Sequence, residues 1–330
     1  MTRRWVAAAA GLALMLLAGL GAGTGWVARE HFNEAGPLDH PRDVVVPRGA
    51  PPQVAEALLH EGVIASTRDF RVAVLLTRAQ GPLHAAEFAF PAGASLRQVL
   101  DILRTARPVQ HRLTIPEGLT AAQIAELLDR AEGMTGDEPV PDEGAMLPQS
   151  YSYEYGTSRE AMMARAEGAM RRALAEAWAQ RAPQVKLATP EEMLTLASIV
   201  ERETARPAER PHVAAVFLNR LRLGMKLQSD PTVAYAVSGG METAGRGITR
   251  AELNLANPYN TYHIAGLPPG PIGSPGMASL LAVAQPAQSE DLYFVADGSG
   301  GHIFARTLEE HNRNVARWRA AQAASASMVR

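Results

Sequence analysis

Between Trp5 and Val27 the chain carries no charged side chain, and this run constrains its folding more than any other feature. A segment with only apolar and small side chains suits lipid if its backbone groups bond one another, as a helix allows. At about 1.5 Å per residue the run spans roughly 30 Å, the thickness of a bilayer's hydrocarbon. Arg3 and Arg4 precede it, and Trp5 and Trp26 stand where interfacial rings belong. The positive-inside rule then puts Met1 in the cytoplasm and everything after Arg29 outside. The competing reading is a cleaved signal peptide, whose apolar core is usually only about 7–15 residues before an A-x-A-like site. This run is longer and no clean site follows it. The expectation is a single-pass anchor over residues 1–29 with a large extracytoplasmic part.

An exported chain would be expected to use disulfides, yet this one has no cysteine among its 330 residues. Its fold must stand on packing, and thiolate nucleophiles, Cys-zinc sites and iron–sulfur clusters are excluded. The formal net charge of −2 argues against nucleic acid as a partner, because phosphate binding needs a concentrated basic surface. The hydrophobic fraction of 47% supports a real core, although the apolar run inflates it.

Beyond the run, Pro37–Pro52 is rich in proline and charge and reads as a tether, set at residues 30–45, that becomes ordered near its end. A short pattern then recurs. FPAGASLRQVL (Phe90–Leu100) and IPEGLTAAQIAELL (Ile115–Leu128) share P-x-G-x-[ST]-x-x-Q, and VPRGAPPQVAEALL (Val46–Leu59) is a looser copy. Each places a turn before a helix start. Ser95 with Gln98, and Thr120 with Gln123, form capping boxes in which hydroxyl and amide satisfy orphan backbone donors. Arg71–Leu76 and Ala85–Phe90 alternate and read as strands. Together these units predict a small α+β module over residues 46–130. Glu132–Glu143 is acidic with Gly and Pro, so residues 131–156 read as a linker. A mainly helical domain is expected over 157–320, with a short frayed tail at 321–330.

Thr189-Pro190-Glu191-Glu192 is a strong helix start, and Pro207 limits the helix to about Thr204. On a wheel with Leu196 at zero, Val200 falls near about 40°, Met193 near about 60° and Ile199 near about −60°. Glu203 falls near about −20°, in the middle of this apolar stripe, and Glu201 near about 140°, well away from it. A carboxyl on a core-facing stripe is costly unless paired or protonated. Desolvation raises its pKa, which a general acid working near neutrality needs. Glu203 is therefore the candidate acid. The alternative is a glutamate at a frayed last turn, reaching solvent or pairing with Arg206 or Arg210.

The sequence around it supports a site. Gly224 ends a helix, and Gln228-Ser229-Asp230 is a polar cluster ahead of the next helix start. Asn257-Pro258-Tyr259-Asn260-Thr261-Tyr262 alternates rings with amides and hydroxyls, as sugar-binding grooves do. Gly266–Pro271 is too stiff for a flexible linker. Leu292–Ala296 and His302–Ala305, separated by Asp297-Gly-Ser-Gly-Gly, read as a β-hairpin. Thr307-x-x-Glu310 caps a last helix bearing His311 and Asn312. The expected groove residues are Gln228, Asp230, Tyr259, Asn260, Thr261 and Tyr262, with His302 and Asn312 as further candidates. No G-x-S-x-G elbow, P-loop or H-E-x-x-H is present, and the nine histidines show no convincing metal spacing. No metal or cofactor is expected.

At LASIVERET (Leu196–Thr204), VAAVFLNRLRLGMKLQSDPTVAYA (Val213–Ala236), NPYNTYHIAGLPPGPIGSPG (Asn257–Gly276) and LYFVADGSGGHIFARTLEEHN (Leu292–Asn312) the sequence resembles the membrane-anchored endolytic murein transglycosylases of the YceG-like group. The resemblance implies a LysM-like module between anchor and catalytic domain, and it maps the family's catalytic glutamate onto Glu203. It further implies cleavage of MurNAc–GlcNAc bonds in nascent peptidoglycan, giving 1,6-anhydroMurNAc ends. That work would take place at the inner membrane beside cell-wall synthases, with one carboxyl serving as acid and then base. One departure is Pro148-Gln149-Ser150-Tyr151, where the family usually has Pro-Asp-Thr-Tyr. Two other readings stay open: a hydrolytic muramidase that recruits Asp230, and a non-enzymatic, membrane-tethered peptidoglycan-binding scaffold.

Overall fold

The computed structural model describes residues 30–137, 140–241 and 247–328, with side chains in the last helix described to residue 322. The apolar run Trp5–Val27 lies outside these residues. Among the described residues, no helix is long and apolar enough to cross a membrane.

The architecture mixes α and β: helices predominate, with three two-stranded sheets among the described residues. Two compact units make it up. Among the described residues, the first comprises residues 30–111 together with Glu154–Gly156, and the second comprises those of Arg112–Tyr153 and from Thr157 to Met328.

The first unit runs β1 (Arg42–Val45), α1 (Pro51–His60), α2 (Thr67–Leu76), β2 (Glu87–Phe90) and α3 (Leu96–Thr105). β1 and β2 pair antiparallel with Val44 opposite Phe88. That register turns Val44, Phe88 and Phe90 toward one face, where they bury against Leu58, Phe70, Leu100 and Leu103. The predicted tether is partly structure. Leu38 is buried, its carbonyl accepts from Gly93 N, and β1 begins at Arg42. A short strand with an apolar face needs only one partner to become ordered, and β2 supplies it.

The expected strand at Arg71–Leu76 is helical instead, as the second half of α2. Ser66 caps that helix by accepting from Asp69 N, and Phe70 and Ala73 bury one face at helical spacing. The local alternation yielded to the cap and to the packing of Phe70. The expected strand at Ala85–Phe90 is β2, and Ser95 and Gln98 form the predicted capping box of α3.

The second unit begins with β3 (His111–Thr114, of which His111 belongs to the first unit), α4 (Ala121–Asp129) and β4 (Ser150–Tyr153), with β3 beside β4. Leu113, Ile115, Ile124, Leu128, Met146 and Tyr151 from this segment share a core with Met162 and Ala166 of α5 (Arg159–Ala179). The boundary between compact units thus falls at His111–Arg112, where the sequence suggested one near residue 130. Residues 112–130 bury Leu113, Ile115, Ile124 and Leu128 against α5. The described part of the presumed linker is packed likewise. Met134 is buried, and Glu143 accepts from Ala121 N at 2.9 Å and from the Tyr235 hydroxyl at 3.0 Å.

The larger core surrounds α6 (Pro190–Glu203), which packs against α5, α7 (Arg210–Arg222), α8 (Asp230–Ser238) and α10 (Met277–Ala284). A short α9 (Arg250–Leu253) precedes α10. Met193, Leu196, Ile199 and Val200 of α6 are fully buried with Phe217, Leu227, Ile272 and Leu280. The Pro116–Gly118 turn docks where backbone meets backbone. Gly118 N donates to Ser274 O at 2.8 Å, and a Cβ on Gly273 would sit 2.7 Å from Gly118 O.

The predicted hairpin is β5 (Tyr293–Ala296) with β6 (His302–Ala305). Its turn is fixed by Asp297, whose Oδ1 accepts from Ser299 N at 2.7 Å and Gly301 N at 2.9 Å. The last helix, α11, spans Leu308–Met328 and starts at the predicted Thr307–Glu310 box. It continues into the stretch expected to fray, as far as Met328, and residues 320–324 there are rich in alanine, the best helix former.

Candidate active site

Thr189 caps α6 by accepting from Glu192 N, and Pro190 occupies its first turn. At the other end Thr204 turns extended, with φ −134° and ψ 130°, so Glu203 is the last helical residue. Its carboxyl meets the start of α8. The Ser229 hydroxyl donates to Glu203 Oε2 at 2.7 Å. Ser229 is itself held in place. Its N–H donates to Thr261 Oγ1 at 2.9 Å, its carbonyl accepts from Thr232 Oγ1 at 2.6 Å, and the two threonine hydroxyls lie 2.8 Å apart. All three side chains are buried, so this network fixes the donor that faces Glu203.

Burial pushes the Glu203 carboxyl up to about 7, and the negative charge of Asp230 adds to it. The Ser229 hydrogen bond and the charges of His302 and Arg220 oppose the rise. The group therefore holds its proton close to neutral pH, which suits a general acid.

Around Glu203, α7 contributes Arg220, a buried guanidinium that donates to Leu292 O at 2.6 Å and Leu227 O at 2.7 Å. It also lies 5.2 Å from the Tyr293 ring centroid. The hairpin contributes His302, whose Nδ1 is 2.8 Å from Glu209 Oε2 and whose N–H donates to Glu209 Oε1 at 3.2 Å. Burial would raise the Glu209 carboxyl, but these bonds hold it below the usual range. Asp230, exposed at the start of α8, accepts from the Tyr262 hydroxyl at 2.6 Å.

The expected groove residues divide. Asp230, Tyr262 and His302 come together near Glu203. The Gln228 side chain is exposed, and its backbone φ of 52° is the only positive one outside glycine among the described residues. Such conformations cluster at functional sites. Asn260 and Thr261 are fully buried and do not line a groove. Asn260 Nδ2 donates to three carbonyls, Leu255 at 2.8 Å, Leu253 at 3.1 Å and Glu252 at 3.4 Å, while its Oδ1 accepts from Tyr262 N. It shapes the loop that presents Tyr262. Tyr259 packs its ring 4.8 Å from that of Tyr235 and joins the edge of the large core. Asn312 is exposed on α11.

Glu201 departs from the wheel. It is buried, with Oε1 2.6 Å from Arg210 Nη2 and Oε2 accepting from Gly276 N at 2.9 Å. The same Arg210 nitrogen donates to Glu117 Oε2 at 3.0 Å. A wheel assumes one buried face, whereas α6 is enclosed on several. Glu201 is an anchor, and its pairing with Arg210 leaves Glu203 as the carboxyl beside the polar network. Sequence reasoning left out Ser229, Arg220 and Glu209. Ser229 stood inside the flagged polar cluster, while Glu209 carries no local signal because its partner lies far along the chain. Among the described residues no group of three or more His, Asp or Glu could hold a metal.

The chain is similar to several known proteins. Residues 44–317 match the YceG-like family. A Streptococcus pneumoniae protein named endolytic murein transglycosylase is 33% identical over 252 residues, covering 63% of this chain and 45% of that protein. A Bacillus subtilis protein of the same name is 42% identical over 121 residues, covering 37% of this chain and 32% of its own length. The chain thus matches less than half the length of these curated relatives. A crystal structure of a YceG-like protein from Listeria monocytogenes superposes with a TM-score of 0.54 at 28% identity, covering 83% of this chain and 98% of that one. With the match spanning most of its length, the chain belongs to the YceG-like family.

Proposed function

We propose that this chain is a lytic transglycosylase that cuts peptidoglycan glycan strands with Glu203 as acid and then base. The observation that carries the reading is Glu203's carboxyl, raised to about 7 by burial and faced by the fixed Ser229 hydroxyl. The names of the curated relatives support the same reaction class.

In the proposed cycle, protonated Glu203 donates to the GlcNAc oxygen as the MurNAc C1–O bond breaks. Positive charge develops at C1, and the MurNAc C6 hydroxyl attacks it. The Glu203 carboxylate takes the proton released by that hydroxyl, which closes a 1,6-anhydro ring and restores the acid. No water is consumed. A hydrolase needs a second carboxylate as nucleophile or as base for water. The exposed Asp230 is available for that role and makes hydrolysis the second reading. Mass spectrometry of products from isolated cell-wall sacculi tests both. Fragments with 1,6-anhydro ends support the transglycosylase, reducing ends support the hydrolase, and no release of fragments favours a binding scaffold.

In the same reading, Trp5–Val27 anchors the chain in the inner membrane with its N-terminus cytoplasmic. The tether then restricts cuts to nascent strands near the membrane, where cell-wall synthases work. The first unit serves as a LysM-like, glycan-binding module.

A further inference from the structure

A cavity of about 750 Å³ lies on the far side of α7 from the candidate acid. Arg220 points its guanidinium toward Leu227 and Leu292, and its charge acts on Glu203. Leu218 and Arg222 lie two positions to either side of Arg220, roughly 200° around the helix, and they line the cavity. The opposite wall is Lys186-Leu187 and the segment from Pro286 to Asp291. The size suits a ligand, since binding clefts run about 300–1,000 Å³.

The floor is apolar, from Leu187, Leu218, Leu221 and Pro286, and the rim is uneven in charge. Of its two carboxylates, Glu290 pairs with Arg306, and Asp291 accepts from the Ser289 hydroxyl at 2.7 Å and lies 2.8 Å from His212 Nε2. The exposed cations Lys186 and Arg222 have no ion-pair partner among the described residues. The lining thus sets Lys186, Arg222 and Arg306 against Glu290 and Asp291, a net positive rim above an apolar floor, complementary to a short chain that carries carboxylates next to small apolar side chains.

We propose that this cavity binds the acidic peptide attached to the glycan strand, so that the enzyme reads the peptide while Glu203 faces the sugar. The inference rests on the proposed function, because it takes peptidoglycan as the substrate. A helix with its side chains is about 10–12 Å across, and an extended peptide covers roughly 3.3–3.6 Å per residue, so four or five residues span α7.

The test uses the full chain and the double variant Lys186→Glu/Arg222→Glu, whose side chains are exposed and whose fold is checked by circular dichroism. Cleavage is measured on glycan strands that carry peptides and on strands stripped of them. The expected result is about a tenfold loss on peptide-bearing strands with no change on stripped ones, in line with reversing two partly exposed charge contacts. Equal effects on both substrates, or none on the peptide-bearing one, would overturn the proposal. A second measurement separates this outcome from failure of the proposed activity. Fluorescence polarisation of a labelled Ala-Glu peptide against its Ala-Gln analogue needs no catalysis. Tighter binding of Ala-Glu that disappears in the variant supports the cavity's role, and indistinguishable binding of the two peptides refutes it.

Discussion

Glu203 owes its character to a balance of neighbours, and each contribution has a sign. The Ser229 hydrogen bond favours the carboxylate, so Ser229→Ala raises the Glu203 pKa. If activity requires protonated Glu203, it falls as pH rises through that pKa. The alkaline limb of the pH–rate profile therefore moves up in Ser229→Ala. Asp230 disfavours the carboxylate, so Asp230→Asn moves the same limb down. A pH series on both variants checks the opposite signs. Burial of Glu203 also affects stability. Its pKa of about 7 in the fold exceeds the unfolded value, so its contribution to stability is complete below about pH 4.5 and is lost as pH rises through about 7. The largest loss is about 3 kcal/mol, from roughly 2.5 units at about 1.4 kcal/mol each. Glu203→Gln escapes this loss, so its melting temperature should exceed that of the wild type at pH 8 and converge with it near pH 4.5.

At the scale of elements, cap chemistry was readable in the sequence and side-chain enclosure was not. Thr189, Ser95, Thr120 and Thr307 start helices where their spacing to Glu or Gln placed them, because a cap depends only on residues within one turn. Arg71–Leu76 misled, because alternation over six residues is compatible with either element until Phe70 finds its pocket. The wheel isolated Glu203 but misjudged Glu201, whose partners Arg210, Glu117 and Gly276 come from three other segments. That ion cluster ties the end of α6 to the Pro116–Gly118 turn. Arg210→Met would strand the buried Glu201 carboxylate and should cost about 3–5 kcal/mol, measured by urea unfolding. Glu203 would lose its fixed position in the same variant.

At the scale of the whole molecule, the repeated turn-and-helix pattern suggested one module over residues 46–130, yet its copies belong to two units. The copies at 46–59 and 90–100 build the first unit, and the copy at 115–128 builds the second. Local grammar carries no information about which core a helix enters. That depends on Leu113, Ile115, Ile124 and Leu128 finding Met162 and Ala166. Two truncations distinguish the boundaries. A fragment starting at Arg112 should retain a cooperative thermal transition. One starting at Ala131 should lose it, because it exposes that core and leaves Arg210 without Glu117.

In the proposed mechanism one carboxyl, that of Glu203, performs the chemistry. The most direct test is the rate at which Glu203→Gln cleaves isolated glycan strands beside the wild type, with folding confirmed by the melting curve. A loss on the order of 10²-fold or more is predicted, as for removal of a general acid. Cleavage near the wild-type rate would contradict the assignment.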